Sequence, residues 1–139
     1  MNLSKDFTLE ELVRSDTARR QGIDNTPTEL VTAHLIILCH FLLQPVRDHI
    51  GKPIRVNSGY RSPKLNQAVS GVATSQHTEG KAVDITVPGM TACDLFDRII
   101  TMKGIEFDQI IQYKSFVHIS FDFGKNRKQI LYSKEVSEK

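Results

Sequence analysis

Two imidazoles and a carboxylate in this chain have the types and surroundings needed to share a divalent ion. Residues 74–86 read Thr-Ser-Gln-His-Thr-Glu-Gly-Lys-Ala-Val-Asp-Ile-Thr, with His77 and Asp84 on either side of a Glu79-Gly80 reversal. Glycine takes the turn conformation without a Cβ clash, and the β-branched run after Lys81 carries Asp84 back towards His77. An imidazole and a carboxylate suit Zn²⁺, which in catalytic sites takes three protein ligands and leaves the fourth position to water. The third ligand is expected to be His118, in Phe116-Val117-His118-Ile119-Ser120-Phe121. Alternation there puts Val117, Ile119 and Phe121 on one face of a strand and His118 with Ser120 on the other. A histidine beside a turn is also an ordinary surface residue and a strand aspartate an ordinary edge residue, so the spacing of His77 and Asp84 alone is not a specific motif.

Arg61 directly follows the alternating run 52–60. An arginine there reads as a surface ion-pair partner or as a planar fork that grips a carboxylate with two parallel hydrogen bonds. Ser75, two residues before His77, is a loop hydroxyl beside the same site.

Several elements must position these groups. Thr8-Leu9-Glu10-Glu11 is a capping box, with Phe7 as its staple, and predicts a helix that ends before Gly22. Arg14, Arg19 and Arg20 read as its solvated face. Thr26 as N-cap, Pro27 in the first position and Glu29 at N3 open a second helix that runs towards Gly51. Leu30, Val31, Leu35, Leu38, Leu42, Val46 and Ile50 make it the central core helix, which Pro45 should bend or split. His34, His40 and His49 on it read as structural or surface residues. Ser62-Pro63 starts a short helix. Residues 81–87 form a strand with Ala82, Asp84 and Thr86 facing the site and Val83, Ile85 and Val87 facing the core. Thr91 caps a third amphipathic helix with Leu95, Ile99 and Met102 on its buried side. Residues 108–113 and 116–121 read as a hairpin, 128–132 as a last strand, and the tail from 132 to 139 as frayed.

With 139 residues, 40% of them apolar and 24% charged, the chain suits one domain, spanning 1–139, with one core. A formal charge of +2 is too small to argue for a nucleic-acid partner. Cys39 and Cys93 are both expected as buried free thiols, which suits a reducing compartment. The N-terminal residues lack a secretory apolar region, and the run from Leu35 to Cys39 falls short of the roughly 20 residues a membrane span needs. The expectation is a soluble monomer made in the cytoplasm, without a membrane span.

Ser58-Gly59-Tyr60-Arg61-Ser62-Pro63, Leu65-Asn66, residues 75–85, Phe107-Asp108-Gln109-Ile110-Ile111 and Val117-His118-Ile119-Ser120 together resemble the zinc D-Ala-D-Ala carboxypeptidases of the peptidase M15 family. More narrowly, it resembles the short, single-domain members common in phages, prophages and bacterial genomes, and the resemblance runs from about Phe7 to Leu131. The resemblance implies Zn²⁺ on His77, Asp84 and His118. It also implies Arg61 in substrate binding and transition-state stabilisation, Ser75 hydrogen-bonded to substrate, and a D-amino-acid peptide of peptidoglycan as substrate. The implied fold is α+β, of the kind these peptidases share with the amino-terminal signalling domain of hedgehog proteins: a small antiparallel sheet with helices on one face and the metal on the other.

One part of the family pattern is missing. Active relatives carry a Glu or His a few positions before the last zinc ligand, as general base. Here Ile111-Gln112-Tyr113-Lys114-Ser115-Phe116-Val117 holds neither. Tyr113, with an unperturbed pKa near ~10, suits a hydrogen-bond donor to the oxyanion rather than a base. Glu79 and Asp108 are the remaining acids close in sequence. A hydrolase that cleaves a terminal D-Ala or a bond within the stem is therefore weighed against a zinc-containing wall-binding or protein-interaction module without turnover. A structural virion component is a third reading.

Overall fold

The helix announced by Thr8 starts as expected but stops early. In the computed structural model, which describes residues 1–137, Thr8 Oγ1 accepts from the Glu11 N–H at 3.2 Å and the Glu11 carboxylate accepts from the Thr8 N–H at 3.2 Å. Helix α1 covers only Leu9–Val13, and Ser15 caps a separate helix α2, Asp16–Gln21, which Gly22 ends in the left-handed conformation. The expected single helix is broken because its carbonyls are used elsewhere. Leu12 O accepts from the Tyr60 N–H at 2.7 Å and Val13 O from Asn25 Nδ2 at 2.7 Å. A Cβ at Gly59 would collide with the Leu12 carbonyl, so this backbone-to-backbone approach requires glycine.

The core helix α3 runs Glu29–Ile50. Thr28, not Thr26, is its N-cap, accepting from the Val31 N–H at 3.2 Å. Thr26 is occupied by the turn before it, where Asp24 Oδ1 takes both its N–H at 2.9 Å and its hydroxyl at 2.6 Å. Pro45 does not split the helix in two. Residues Cys39–Leu43 widen into a π turn, and the chain continues as α-helix through Gln44–Ile50. Proline lacks an N–H and crowds the carbonyl four residues back, and a wider turn ahead of it absorbs that mismatch without ending the helix. By length and mean hydropathy α3 is apolar enough to cross a membrane, contrary to the reading from its longest apolar run. In this fold one face of it packs against protein, with Leu35, Leu38, Leu42, Leu43 and Val46 fully buried in the core, while Ile36 and Phe41 stay exposed and so does Leu30, a correction to its expected place in the core stripe.

The sheet has five strands in the order β1-β2-β4-β3-β5: β1 Arg55–Ser58, β2 Ala82–Thr86, β3 Gln109–Gln112, β4 Val117–Ser120 and β5 Gln129–Tyr132. It is mixed, not purely antiparallel, because β5 runs parallel to β3. Strand β4 ends beside the start of β3, and the connection crosses that end of the sheet before β5 begins. The Lys128 N–H meets Phe107 O at 3.0 Å and the Gln129 N–H meets Asp108 O at 2.9 Å, which fixes the direction.

Val56, Val83, Ile85, Ile110, Val117 and Ile119 turn one sheet face to the core, where α1, α3 and helix α5, Ala92–Ile100, pack. Helix α4, Pro63–Ala68, capped by Ser62, adds Leu65 and Asn66 as buried residues outside that cluster. Helix α5 is capped by Thr91 as expected, but ends before Met102, which packs part-buried against the core. Its Cys93 is exposed, a correction to the expected buried thiol, since Leu95, Phe96 and Ile99 supply the inward face. Cys39 is buried, and burial, with a smaller push from the Glu11 charge, raises its thiol to about 12.

Within the segment expected to fray from 132, several described residues have defined partners. Tyr132 pairs in β5 and packs against Phe96, and Lys134–Ser137 forms a turn of helix, α6. The Glu135 carboxylate accepts from the Lys114 N–H at 2.8 Å. Residues 138–139 lie outside the described residues.

Candidate metal centre

Strands β2 and β4 pair with Asp84 opposite His118, so both side chains leave the same sheet face, away from the core. His118 Nδ1 lies 2.8 Å from Asp84 Oδ1. His77 reaches the same oxygen from outside the sheet, with Nε2 at 3.3 Å. It stands on a 3-10 turn, Gln76–Glu79, which Ser75 caps and left-handed Gly80 ends. That turn is docked on α3, where Val31 O would lie only 2.8 Å from a Cβ at Gly80, and His34 Nδ1 donates to Glu79 O at 2.7 Å.

His77 Nδ1 lies 2.8 Å from Gly59 O. A carbonyl only accepts, so Nδ1 carries a proton, and Nε2 is the ring nitrogen turned to Asp84. The Arg61 N–H donates to His77 O at 3.0 Å and holds the turn from the other side. One ligand atom from each of His77, Asp84 and His118 falls within a 4.8 Å group. Ligands about 2.0–2.1 Å from a tetrahedral ion stand roughly 3.3 Å apart. The His77–Asp84 separation already matches this, and the His118–Asp84 contact needs to open by about 0.5 Å as a cation displaces the shared proton. The donor set therefore fits Zn²⁺, with one carboxylate and two imidazoles on three separately anchored segments.

Burial pushes the Asp84 carboxyl up, but hydrogen bonds from His118 and His77, aided by their charge when protonated, outweigh it and hold the group well below the usual carboxylate range. Asp84 is thus an anion ready for a cation. Its other oxygen faces Arg61 Nη2 at 3.6 Å. Arg61 is aimed by Ser58 Oγ, which accepts from Nε at 3.1 Å, and by Asn66 Oδ1, which accepts from Nη1 at 3.2 Å. Asn66 is in turn fixed through Nδ2 to Val72 O at 2.8 Å, and a Cβ at Gly71 would collide with its Oδ1.

Ser75, Arg61 and Tyr113 line one cleft with the three candidate ligands. Ser75 Oγ accepts from the His77 N–H at 3.2 Å, which leaves its hydroxyl proton for a ligand. Tyr113 stacks on Phe116, and burial, then the Asp84 charge, raises its phenol further, so it stays a protonated donor. The two remaining acids do not join the site. Glu79 is half-exposed and pairs with Lys81 at 3.8 Å. Asp108 is buried and committed to Arg127, whose fork, against the opposing effect of burial, holds it down to about 2. Among the described residues, no carboxylate or imidazole besides the three candidate ligands lines the cleft. Of the other histidines, His34 supports the metal turn, as a structural residue.

Sequence reasoning gave no role to Ser58, Gly59, Asn66 and Gly71, or to Gln76 and Arg127. Ser58, Gly59, Asn66 and Gln76 fall within the segments that carry the family resemblance, and a local hint lay in the short polar residues and glycines around Arg61, the composition of a segment that uses its backbone for contacts.

A sequence model of the family described as Peptidase M15 matches residues 5–120. Among curated proteins, the Zinc D-Ala-D-Ala carboxypeptidase of Streptomyces albus G is 33% identical over 90 residues, covering 64% of this chain and 34% of that protein. The chain thus spans about a third of the length of that relative.

Proposed function

The chain belongs to the peptidase M15 family, and on that premise we propose that it is a zinc-dependent peptidase acting on D-amino-acid peptide bonds of peptidoglycan, as a D-Ala-D-Ala carboxypeptidase or a wall endopeptidase. The observation that carries this reading is the convergence of His77, Asp84 and His118 in a cleft that also holds Arg61, Ser75 and Tyr113. The fold we assign is the one such peptidases share with hedgehog signalling domains. Soluble synthesis in the cytoplasm, followed by release or export to the wall, completes the proposal.

His77, Asp84 and His118 would hold the ion. Zinc, when bound, supplies a charge that polarises the scissile carbonyl and makes a water acidic enough to attack near neutral pH. Arg61, already oriented by Ser58 and Asn66, offers its Nη2 edge to the developing oxyanion. The Ser75 hydroxyl fixes the peptide backbone, and the Tyr113 phenol, kept protonated, donates a hydrogen bond to the oxyanion. Among the described residues the cleft lining supplies no carboxylate or imidazole base separate from the three candidate ligands.

A second reading is favoured by the missing separate base: a zinc-holding module that binds wall peptide without turnover. Zinc-loaded protein incubated with peptidoglycan fragments and with a peptide ending in D-Ala-D-Ala distinguishes the two. Release of D-Ala or shortened muropeptides, lost in His118→Ala, is the expected result. Stoichiometric zinc with no product from any wall substrate would leave the binding module.

A further inference from the structure

The cleft holds a second guanidinium that the zinc reading does not use. Arg127 lies just before β5, beyond the residues matched by the family, and lines the cleft with Gln76, Gln109 and His118. Its Nε and Nη2 donate to the Asp108 carboxylate at 2.9 and 2.7 Å, and its backbone N–H adds a third bond at 3.0 Å. Asp108 also accepts from Gln76 Nε2 at 2.8 Å, and Gln76 adjoins His77. The pair is unequal: the Asp108 side chain is 1% exposed and that of Arg127 53%. A surface ion pair of convenience joins two mobile groups. Here a buried carboxylate fixes the plane of a guanidinium that stays open to the cleft, and Nη1 has no partner among the described residues.

Placement adds to this. Arg61 follows β1 and Arg127 precedes β5, at opposite ends of the strand order β1-β2-β4-β3-β5, with Asp84 and His118 on strands between them. Besides the candidate ligand Asp84, the cleft lining has no acid, while it has two arginines. Such an inventory suits a substrate that brings its own anion.

We propose that Arg127 is the receptor for the C-terminal carboxylate of the substrate's leaving residue, so that the site selects peptides ending in a free acid. This rests on the peptidase reading above and deepens it, since it makes the protein an exopeptidase. The guanidinium offers its Nη1 edge as a preset donor pair to the carboxylate.

The test compares an N-acylated tripeptide ending in D-Ala-D-Ala with its C-terminal amide, on zinc-loaded protein, by turnover and by calorimetric binding. The native protein should prefer the acid roughly tenfold to a hundredfold in KM or Kd, the range of a charge-assisted hydrogen-bond contribution. Arg127→Gln should treat acid and amide alike, and Arg127→Lys should retain part of the preference. Because Arg127→Gln leaves Asp108 short of donors, the Asp108→Asn/Arg127→Gln double variant is measured beside it, with thermal unfolding of each. Loss of acid preference in both, in folded protein, supports the assignment. Equal handling of acid and amide by the native protein, or acid preference surviving in Arg127→Gln, overturns it. Arg127-dependent acid binding without hydrolysis of either peptide keeps the receptor and removes the peptidase reading; hydrolysis without acid preference does the reverse.

Discussion

Asp84 and Asp108 are both buried carboxylates beside the sheet, both held below the usual carboxylate range, yet their surroundings prepare them for opposite tasks. Asp108 accepts three hydrogen bonds from Arg127 and one from Gln76, and its charge is matched by a fixed cation. Asp84 shares one oxygen between two imidazoles and keeps only a long contact to Arg61. The first carboxylate is matched by a fixed cation and braces the cleft, whereas the second is a desolvated anion whose partners are two imidazoles, themselves metal-ligating groups, which is the arrangement that suits a divalent ion. A lowered pKa alone does not separate the two; the nature of the partners does.

The comparison breaks most visibly on zinc. Asp84→Asn should abolish stoichiometric zinc in metal analysis, while Asp108→Asn should keep it. In the native protein, zinc at a thousandfold excess over Kd should add about 4 kcal/mol of stability, read by chemical unfolding with and without chelator, and Asp84→Asn should lose that increment. A smaller effect sharpens the other side. Asp108→Asn should lower the stability of zinc-free protein by about 2 kcal/mol, because the amide keeps the shape but loses the charge-assisted bonds to Arg127.

Acid titration separates them further. Asp108 sits at about 2 in the folded protein against an ordinary aspartate value of 3.8. The unfolded chain therefore binds the proton first as pH falls. The contribution of Asp108 is fully present above about 4 and is lost as pH drops towards 2, a change of about 2 kcal/mol. Urea unfolding of zinc-free native protein and Asp108→Asn should converge across that window; parallel curves would refute the assignment. The smallest effect expected is from His34→Ala. It removes one hydrogen bond to the metal turn and should cost under about 1 kcal/mol of stability, with a weaker zinc affinity as the more sensitive readout.

The candidate ligands were legible in the sequence because each sits in a pattern with its own period. Alternation in 116–121 sends His118 away from the core, the same rule orients Asp84, and a glycine marks the turn that returns the chain to His77. Caps at Thr8, Ser62 and Thr91 were readable for the same reason: they act over three residues. Features that depend on distant segments were not. The break after Val13 exists because Leu12 and Val13 carbonyls bind Tyr60 and Asn25, and nothing local to Arg14 announces it. The direction of β5 follows from where its connection crosses the sheet, not from its composition. The link between Asp108, Arg127 and Gln76 spans up to 32 positions and has no periodic trace. Pro45 was read correctly as a disturbance, but whether a helix kinks or widens is decided by packing around it.

The peptide group joining Gly59 to Tyr60 has an outcome that reaches well beyond the cleft. Its carbonyl orients His77, and its N–H grips the end of α1. Occupying the ion site should therefore slow amide exchange across residues 9–13, a stretch that contributes no ligand. The amino-terminal helix is in this sense a gauge of metal loading, readable without touching the cleft at all.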